Sequence, residues 1–310
     1  MQMKPKPEWF KRRLPGNAQY ENIRAVLKNG QLHTVCQEAN CPNIWECFSS
    51  GTATFLILGS RCTRSCGFCA VAKNPQGPPD PNEPSRVAEA AQALQLDYVV
   101  VTSVTRDDLP DGGAAHFAAT TEQLREKLPR AQIEVLIPDF QGSRPALKTV
   151  LDASPHILNH NIETVPRLYP AVRSQADYQQ SLTLLTQSAR MAPEIPTKSG
   201  LMVGLGETRD ELYTVFEDLL AADCRLLTLG QYLRPSINHL PVKEYVSPDT
   251  FLKYKDKAIS MGFVDVASAP LVRSSYRAKA LFTSTLPDKD ITGAPAPETT
   301  EQIALLSPPK

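Results

Sequence analysis

Six of the seven cysteines in this 310-residue chain fall between positions 36 and 69. The later three read Cys62-Thr-Arg-Ser-Cys66-Gly-Phe-Cys69, a C-x3-C-x2-C spacing. Three thiolates on one short loop can hold three corners of a cubane 4Fe–4S cluster. The fourth iron is then left without a protein ligand and open to a substrate, which makes the cluster a reaction centre as well as an electron store. Structural zinc is the bland alternative, but zinc favours C-x2-C pairs completed by two further ligands, and neither the count nor the spacing fits. The earlier three read Cys36-Gln-Glu-Ala-Asn-Cys41-Pro-Asn-Ile-Trp-Glu-Cys47, spacing C-x4-C-x5-C. Taken alone, they could equally be a zinc knuckle lacking its fourth ligand. An odd cysteine total argues against a disulfide framework, and a chain of this size needs no such staples.

Other signals are weaker. Cys224 is the leftover thiol and reads as a small buried apolar side chain. His33, His116, His156, His160 and His239 are scattered without ligand spacing, and Trp45, between two cysteines, reads as packing under a cluster. Gly200-Leu-Met-Val-Gly204-Leu-Gly206-Glu207 places glycines where backbone could approach a planar group, or where a strand simply turns into a helix.

The second triplet needs a scaffold, and the sequence supplies one. Short β-branched or apolar runs predict strands at 54–58, 98–104, 132–137, 157–162, 201–203 and 226–229. Helical patterns fall between them at 85–95, 113–128, 143–151, 177–191 and 208–222, with another at 248–261 and a short one at 20–29. Thr208 with Glu211 has capping-box spacing, and Ser247-Pro248 suits an N-cap followed by proline. Strand–helix alternation of this kind predicts an α/β fold with parallel strands and right-handed crossovers, as an open doubly wound sheet or a TIM-type barrel. In either, the loop after the first strand, which carries the second triplet, lies at the strand ends where active sites collect. So do Thr102, Ser103, Arg106-Asp107-Asp108, Asn159, Asn161, Glu163, Lys198, Gln231 and Tyr232. The five prolines between 74 and 84 predict an extended loop.

Composition excludes some roles. Hydrophobic residues make up 42% of the chain and the formal net charge is zero, so a core is affordable and a broad nucleic-acid surface is not expected. No apolar run follows the basic stretch Lys4 to Arg13, and none is long enough to span a bilayer. A soluble, cytoplasmic protein is expected. Four regions follow: an extension at 1–52 carrying the first triplet, a barrel at 53–262, a C-terminal segment at 263–285 and a disordered tail at 286–310.

The C-x3-C-x2-C motif with Phe68 before its last cysteine resembles the signature of the radical S-adenosylmethionine superfamily. With C-x4-C-x5-C upstream and Glu38-Ala-Asn-Cys-Pro-Asn within it, the chain is similar to the lipoyl synthase family from about Leu14 to Ala278. The resemblance implies a partial (β/α)6 barrel of the TIM type, with an N-terminal cluster-binding extension and a C-terminal closing segment. It implies two 4Fe–4S clusters. One, on Cys62, Cys66 and Cys69, splits S-adenosylmethionine into methionine and a 5′-deoxyadenosyl radical. The other, on Cys36, Cys41 and Cys47, is consumed as sulfur donor while two sulfurs enter C6 and C8 of a protein-bound octanoyl-lysine.

The family also implies a serine ligand to the second cluster within Arg273-Ser274-Ser275-Tyr276, with Ser275 favoured over Ser274. An alkoxide is a hard ligand on an iron that prefers thiolate, so it should leave readily. Thr102, Ser103, Asn159 and Glu163 are the candidates for holding the methionine and ribose, with Gly204 and Glu207 near the adenine. Expected partners are octanoylated lipoyl carrier domains (2-oxoacid dehydrogenase E2 subunits, the glycine cleavage carrier protein), a ferredoxin or flavodoxin, and iron–sulfur assembly proteins, with neither nucleic acid nor membrane. The rivals are another sulfur-inserting radical enzyme, of biotin synthase or methylthiotransferase type, and a zinc-stabilised interaction protein without catalysis.

Overall fold

Strands β1 (Thr54–Ile57), β2 (Tyr98–Ser103), β3 (Gln132–Leu136), β4 (Ile157–Asn159), β5 (Thr197–Val203) and β6 (Leu226–Gln231) lie side by side in chain order, each parallel to its neighbours. That order decides between the two expected architectures. A doubly wound sheet reverses direction at a switch point, whereas an unbroken order with right-handed crossovers puts every helix on one face. The other face becomes an interior, and the result is a partial TIM-type barrel. This computed structural model describes residues 5–11, 18–50, 52–75, 77–276 and 278–283; the tail expected at 286–310 lies outside them.

The longer helices are α1 (Ala18–Asn29), α2 (Glu83–Ala93), α3 (Ala114–Lys127), α4 (Arg144–Asp152), α5 (Tyr178–Met191), α6 (Arg209–Ala221) and α7 (Pro248–Met261). Thr208 and Glu211 form the expected capping box, and Ser247 accepts from Thr250 N ahead of Pro248. Outward strand residues such as Phe55, Val99, Ile133 and Val135 bury against Val87, Phe117 and Leu147, while Val203, Leu227 and Leu229 bury against Leu212, Phe216 and Phe251. Each such side chain stabilises the fold by about 1.5–3 kcal/mol.

The sheet has two strands the sequence pattern did not mark. Strand β7 (Asp265–Ser268) extends it parallel to β6, and His33–Thr34 pairs antiparallel with β1. These are the sheet's two outer strands, so the barrel stays open between them. Across that side runs the segment from Leu271 to Tyr276. Asn43 Nδ2 donates to the Leu271 carbonyl at 2.6 Å, and Tyr276 Oη donates to Glu46 Oε1 at 2.6 Å. Gly200 and Gly230 make room for it. A Cβ on Gly230 would stand 2.0 Å from the Val272 carbonyl oxygen, and one on Gly200 would meet Ser274 Oγ at 2.9 Å.

Inside the barrel, Lys198 Nζ meets Glu134 Oε1 at 2.6 Å with neither side chain exposed. Tyr98 Oη and Asn159 Nδ2 donate to the same carboxylate. Lys198 was expected at the barrel mouth. It lies inside instead because β5 begins at Thr197, four residues before the apolar run that marked it, which makes Lys198 its second residue. Tyr98, Val100, Ile157 and Leu226 close the floor against Ala278 and Phe282 of the last described helix, Ala278–Thr283.

Candidate functional site

The barrel mouth opens into a cavity of about 460 Å³ whose wall includes all six clustered cysteines together with Arg273, Ser274 and Ser275. Segments far apart in the chain therefore meet at one place. Among the described residues no group of three His, Cys, Asp or Glu side chains is placed to hold a single metal ion. The thiols instead ring the cavity, an arrangement that suits a cluster in which each sulfur meets a different iron.

The second triplet is held from several sides. Arg61–Cys62 pairs in parallel with Ala72–Lys73, flanking the loop. Arg64, between the first two cysteines, is buried and forks onto two carboxylates, reaching Asp107 at 2.7 and 2.9 Å and Asp139 at 2.7 and 2.6 Å. Burial alone would push the Asp139 carboxyl up, but the Arg64 bonds and charge bring it down to about 2. The long connection between β6 and α7 covers the loop from the other side: Leu240 N donates to Gly67 O at 3.1 Å, and His239 Nε2 donates to Cys69 O at 3.2 Å. Cys62 Sγ accepts from the backbone N–H of Arg64 and of Thr105.

Electrostatics at the thiols favour a positively charged occupant. Burial pushes Cys66 up to about 11 against the nearby Arg173 charge, and burial with the neighbouring Cys41 pushes Cys36 up to about 11. Cys41 and Cys69 are raised by burial as well. Thiols crowded in a dry cavity resist ionising together, and coordinated iron reverses this by stabilising thiolates.

Cys36 and Cys47 of the first triplet sit on two short helices, Val35–Glu38 and Ile44–Ser49, and Cys41 lies between them; Thr34 caps the former helix by accepting from Gln37 N. Trp45 does not face the cavity. It stacks on Tyr20 of α1 at 4.4 Å and 10°, tying two helices of the extension together. Thr54 Oγ1 donates to Ser275 Oγ at 2.9 Å, while Asn161 Nδ2 donates to Ser274 Oγ at 2.7 Å.

The candidates for holding a nucleoside-bearing cofactor divide. Thr102, Ser103 and Glu163 line the cavity. The structure does not bring Asn159, Gly204 or Glu207 to its wall. Asn159 spends its amide on Glu134 beneath it, and the Glu207 carboxylate accepts from Gly204 N and Leu205 N, pinning the strand-to-helix turn. Sequence reasoning named Asn161 without choosing it and missed Arg173, which follows β4 by more than a helical turn and carries no local motif. Both line the cavity, and buried atoms there lack hydrogen-bond partners: Ser103 Oγ, Asn161 Oδ1 and Arg173 Nε. Such groups cost about 1–3 kcal/mol each unless a ligand meets them. Burial raises the Glu163 carboxyl, with Arg173 opposing it. One unpaired guanidinium nitrogen, two unpaired oxygens and six thiols fit an amino-acid nucleoside beside an iron–sulfur cluster.

Comparison with known proteins agrees with this geometry. Residues 56–219 match the family described as the radical SAM superfamily, and residues 2–41 match the N-terminal domain of lipoyl synthase of that family. A lipoyl synthase from Desulfotalea psychrophila is 54% identical over 277 residues, covering 89% of this chain and 93% of that protein. One from Caldicellulosiruptor saccharolyticus is 55% identical over 279 residues, covering 90% and 98%. Among solved structures, Streptococcus suis SuiB bound to S-adenosylmethionine superposes with a TM-score of 0.54 at 10% identity, covering 71% of this chain and 52% of that one, a likeness of fold alone.

Proposed function

The chain belongs to the lipoyl synthase family of the radical S-adenosylmethionine superfamily, and on that premise we propose how its own residues divide the reaction. Lipoyl synthase function, an octanoylated carrier protein as substrate, a 4Fe–4S cluster and S-adenosylmethionine all follow from the membership. No helix among the described residues is long and apolar enough to cross a membrane.

The finer reading assigns two clusters. Cys62, Cys66 and Cys69 hold the one that leaves an iron open; bound there, it supplies the electron that splits S-adenosylmethionine. Arg173, whose Nε lies orphaned in the wall, is the cation available to the methionine carboxylate. Ser103 and Asn161 offer their free oxygens to the amine and ribose, with Thr102 and Glu163 beside them. Cys36, Cys41 and Cys47, closed by Ser275, hold the second cluster, from which sulfur is taken. The observation that carries this reading is the sharing of one cavity by both triplets and the Arg273-Ser-Ser-Tyr segment. A radical generated beside one triplet could thus reach a chain lying beside the other.

Domain roles follow: 1–52 brings the donor cysteines, 53–262 the radical chemistry and 263–285 the closing serine. Octanoylated E2 domains and the glycine cleavage carrier protein are the substrates that fit. A ferredoxin or flavodoxin supplies electrons, assembly proteins supply clusters, and the cytoplasm is the compartment that keeps such clusters reduced.

The test is anaerobic incubation of the reconstituted protein with a reductant, S-adenosylmethionine and an octanoyl-lysine peptide. Mass spectrometry should find two sulfurs gained and two 5′-deoxyadenosines per product. Deoxyadenosine formed without sulfur in the peptide would overturn the assigned sulfur insertion while leaving the radical cleavage. A brown protein containing iron and sulfide, rather than stoichiometric zinc, separates both outcomes from the non-catalytic reading.

A further inference from the structure

Ser275 lies between two anchored neighbours. Tyr276 is tied to Glu46, and Ser274 receives the Asn161 amide, so the backbone around Ser275 is fixed on both sides. Its own Oγ faces Thr54, whose hydroxyl donates to it at 2.9 Å. Thr54 is 3% exposed and is the first residue of β1, held in register opposite Val100. Thr54, Cys36 and Ser275 all line the cavity.

We propose that Thr54 is a positioning residue for the serine ligand: its hydroxyl holds Ser275 Oγ toward the first triplet. The inference rests on the reading of Ser275 as fourth ligand given above. A hydroxyl has one proton to donate, and Thr54 gives it to Ser275 Oγ. Toward an alkoxide it donates a charge-assisted bond, which draws electron density from the oxygen and loosens its hold on a metal. β-Branching suits this duty, because it confines χ1 and keeps the hydroxyl aimed.

The experiment uses the full chain with Cys62, Cys66 and Cys69 replaced by Ala, reconstituted so that only the first triplet carries iron, and mixed anaerobically with a ferrous chelator. Losing one hydrogen bond to a charged partner should slow release of the first iron roughly tenfold in Thr54→Val, with Thr54→Ser restoring the parent rate. Thr54→Ala serves as a second variant lacking the hydroxyl. Failure of both to take up iron, with circular dichroism unchanged and Thr54→Ser loading normally, also supports the assignment. Parental release from Thr54→Val or Thr54→Ala overturns it, as does Thr54→Ser behaving like Thr54→Val. Ser275→Ala separates the two levels. If its Mössbauer spectrum matches the parent, the serine-ligand reading itself falls. If that spectrum changes while Thr54→Val releases iron at the parental rate, only the role of Thr54 falls.

Discussion

Tyr276 Oη donates to Glu46 Oε1 at 2.6 Å, joining the last residue of Arg273-Ser-Ser-Tyr to a residue lying between Cys41 and Cys47, 230 positions earlier. Together with the Asn43 bond to Leu271 O, this contact holds the two ends of the fold around one set of thiols. Tyr276→Phe keeps the ring and deletes the donor. It should cost about 1.5–3 kcal/mol, the worth of one hydrogen bond to a charged group. Iron and sulfide counting should show loss confined to the first-triplet cluster, and thermal melting should show a matching drop. Equal loss at both clusters would show that the contact serves the whole fold instead.

The two triplets should fail differently. Cys36→Ala removes a donor-cluster ligand while leaving Cys62, Cys66 and Cys69 in place, so it should still form 5′-deoxyadenosine and make no thiolated product. Cys66→Ala should lose both. The check is product and deoxyadenosine measured on the same anaerobic samples. Lipoyl groups made by Cys36→Ala would refute the sulfur-donor role.

The Lys198–Glu134 pair has no solvent to fall back on. Removing one partner by Lys198→Met leaves a buried carboxylate and should destabilise the protein by about 3–5 kcal/mol. Lys198→Met combined with Glu134→Leu removes both charges and should recover a substantial part of that loss. Denaturant unfolding of the two variants beside the parent gives the comparison.

His160 provides a pH signature. Its ring is buried, with Nδ1 donating to Ile137 O at 2.9 Å and Nε2 facing Ser181 Oγ at 3.1 Å. Burial, reinforced by the Arg173 charge, brings it down to about 4 from an ordinary 6.5. The folded ring stays neutral while the unfolded one takes a proton below that ordinary value, so stability falls as pH drops from 6.5 toward 4. By about pH 5 the loss should be ~2 kcal/mol. His160→Gln should flatten this part of the profile, seen in denaturation midpoints between about pH 7 and pH 5.

The sequence revealed most where chemistry is local. Thiol spacing within a dozen residues marks both triplets, and runs such as Tyr98-Val-Val-Val mark strands because β-branched residues suit a strand buried on both faces. It revealed least where the partner is distant. The strip at His33–Thr34 is too short to have a period, and in Asp265-Val-Ala-Ser only Val266 is both apolar and β-branched. The start of β5, Thr197-Lys-Ser-Gly, is polar because it faces an interior that already holds Glu134. Nothing near Lys198 announces that carboxylate. Arg173 and Thr54 look ordinary until the fold sets them against the cavity, and Asn159 looks available until Glu134 claims its amide.

The bond between Tyr276 and Glu46 also bears on timing. A ribosome releases the chain from its N-terminus, so Cys36, Cys41 and Cys47 emerge long before the serine proposed to complete their site. The radical triplet and its barrel strands can assemble as they appear. The donor site is finished only when the last segment swings back across the open side of the sheet. On that proposal, chains that stall or are clipped before Ser275 would lack part of the seat for the donor cluster.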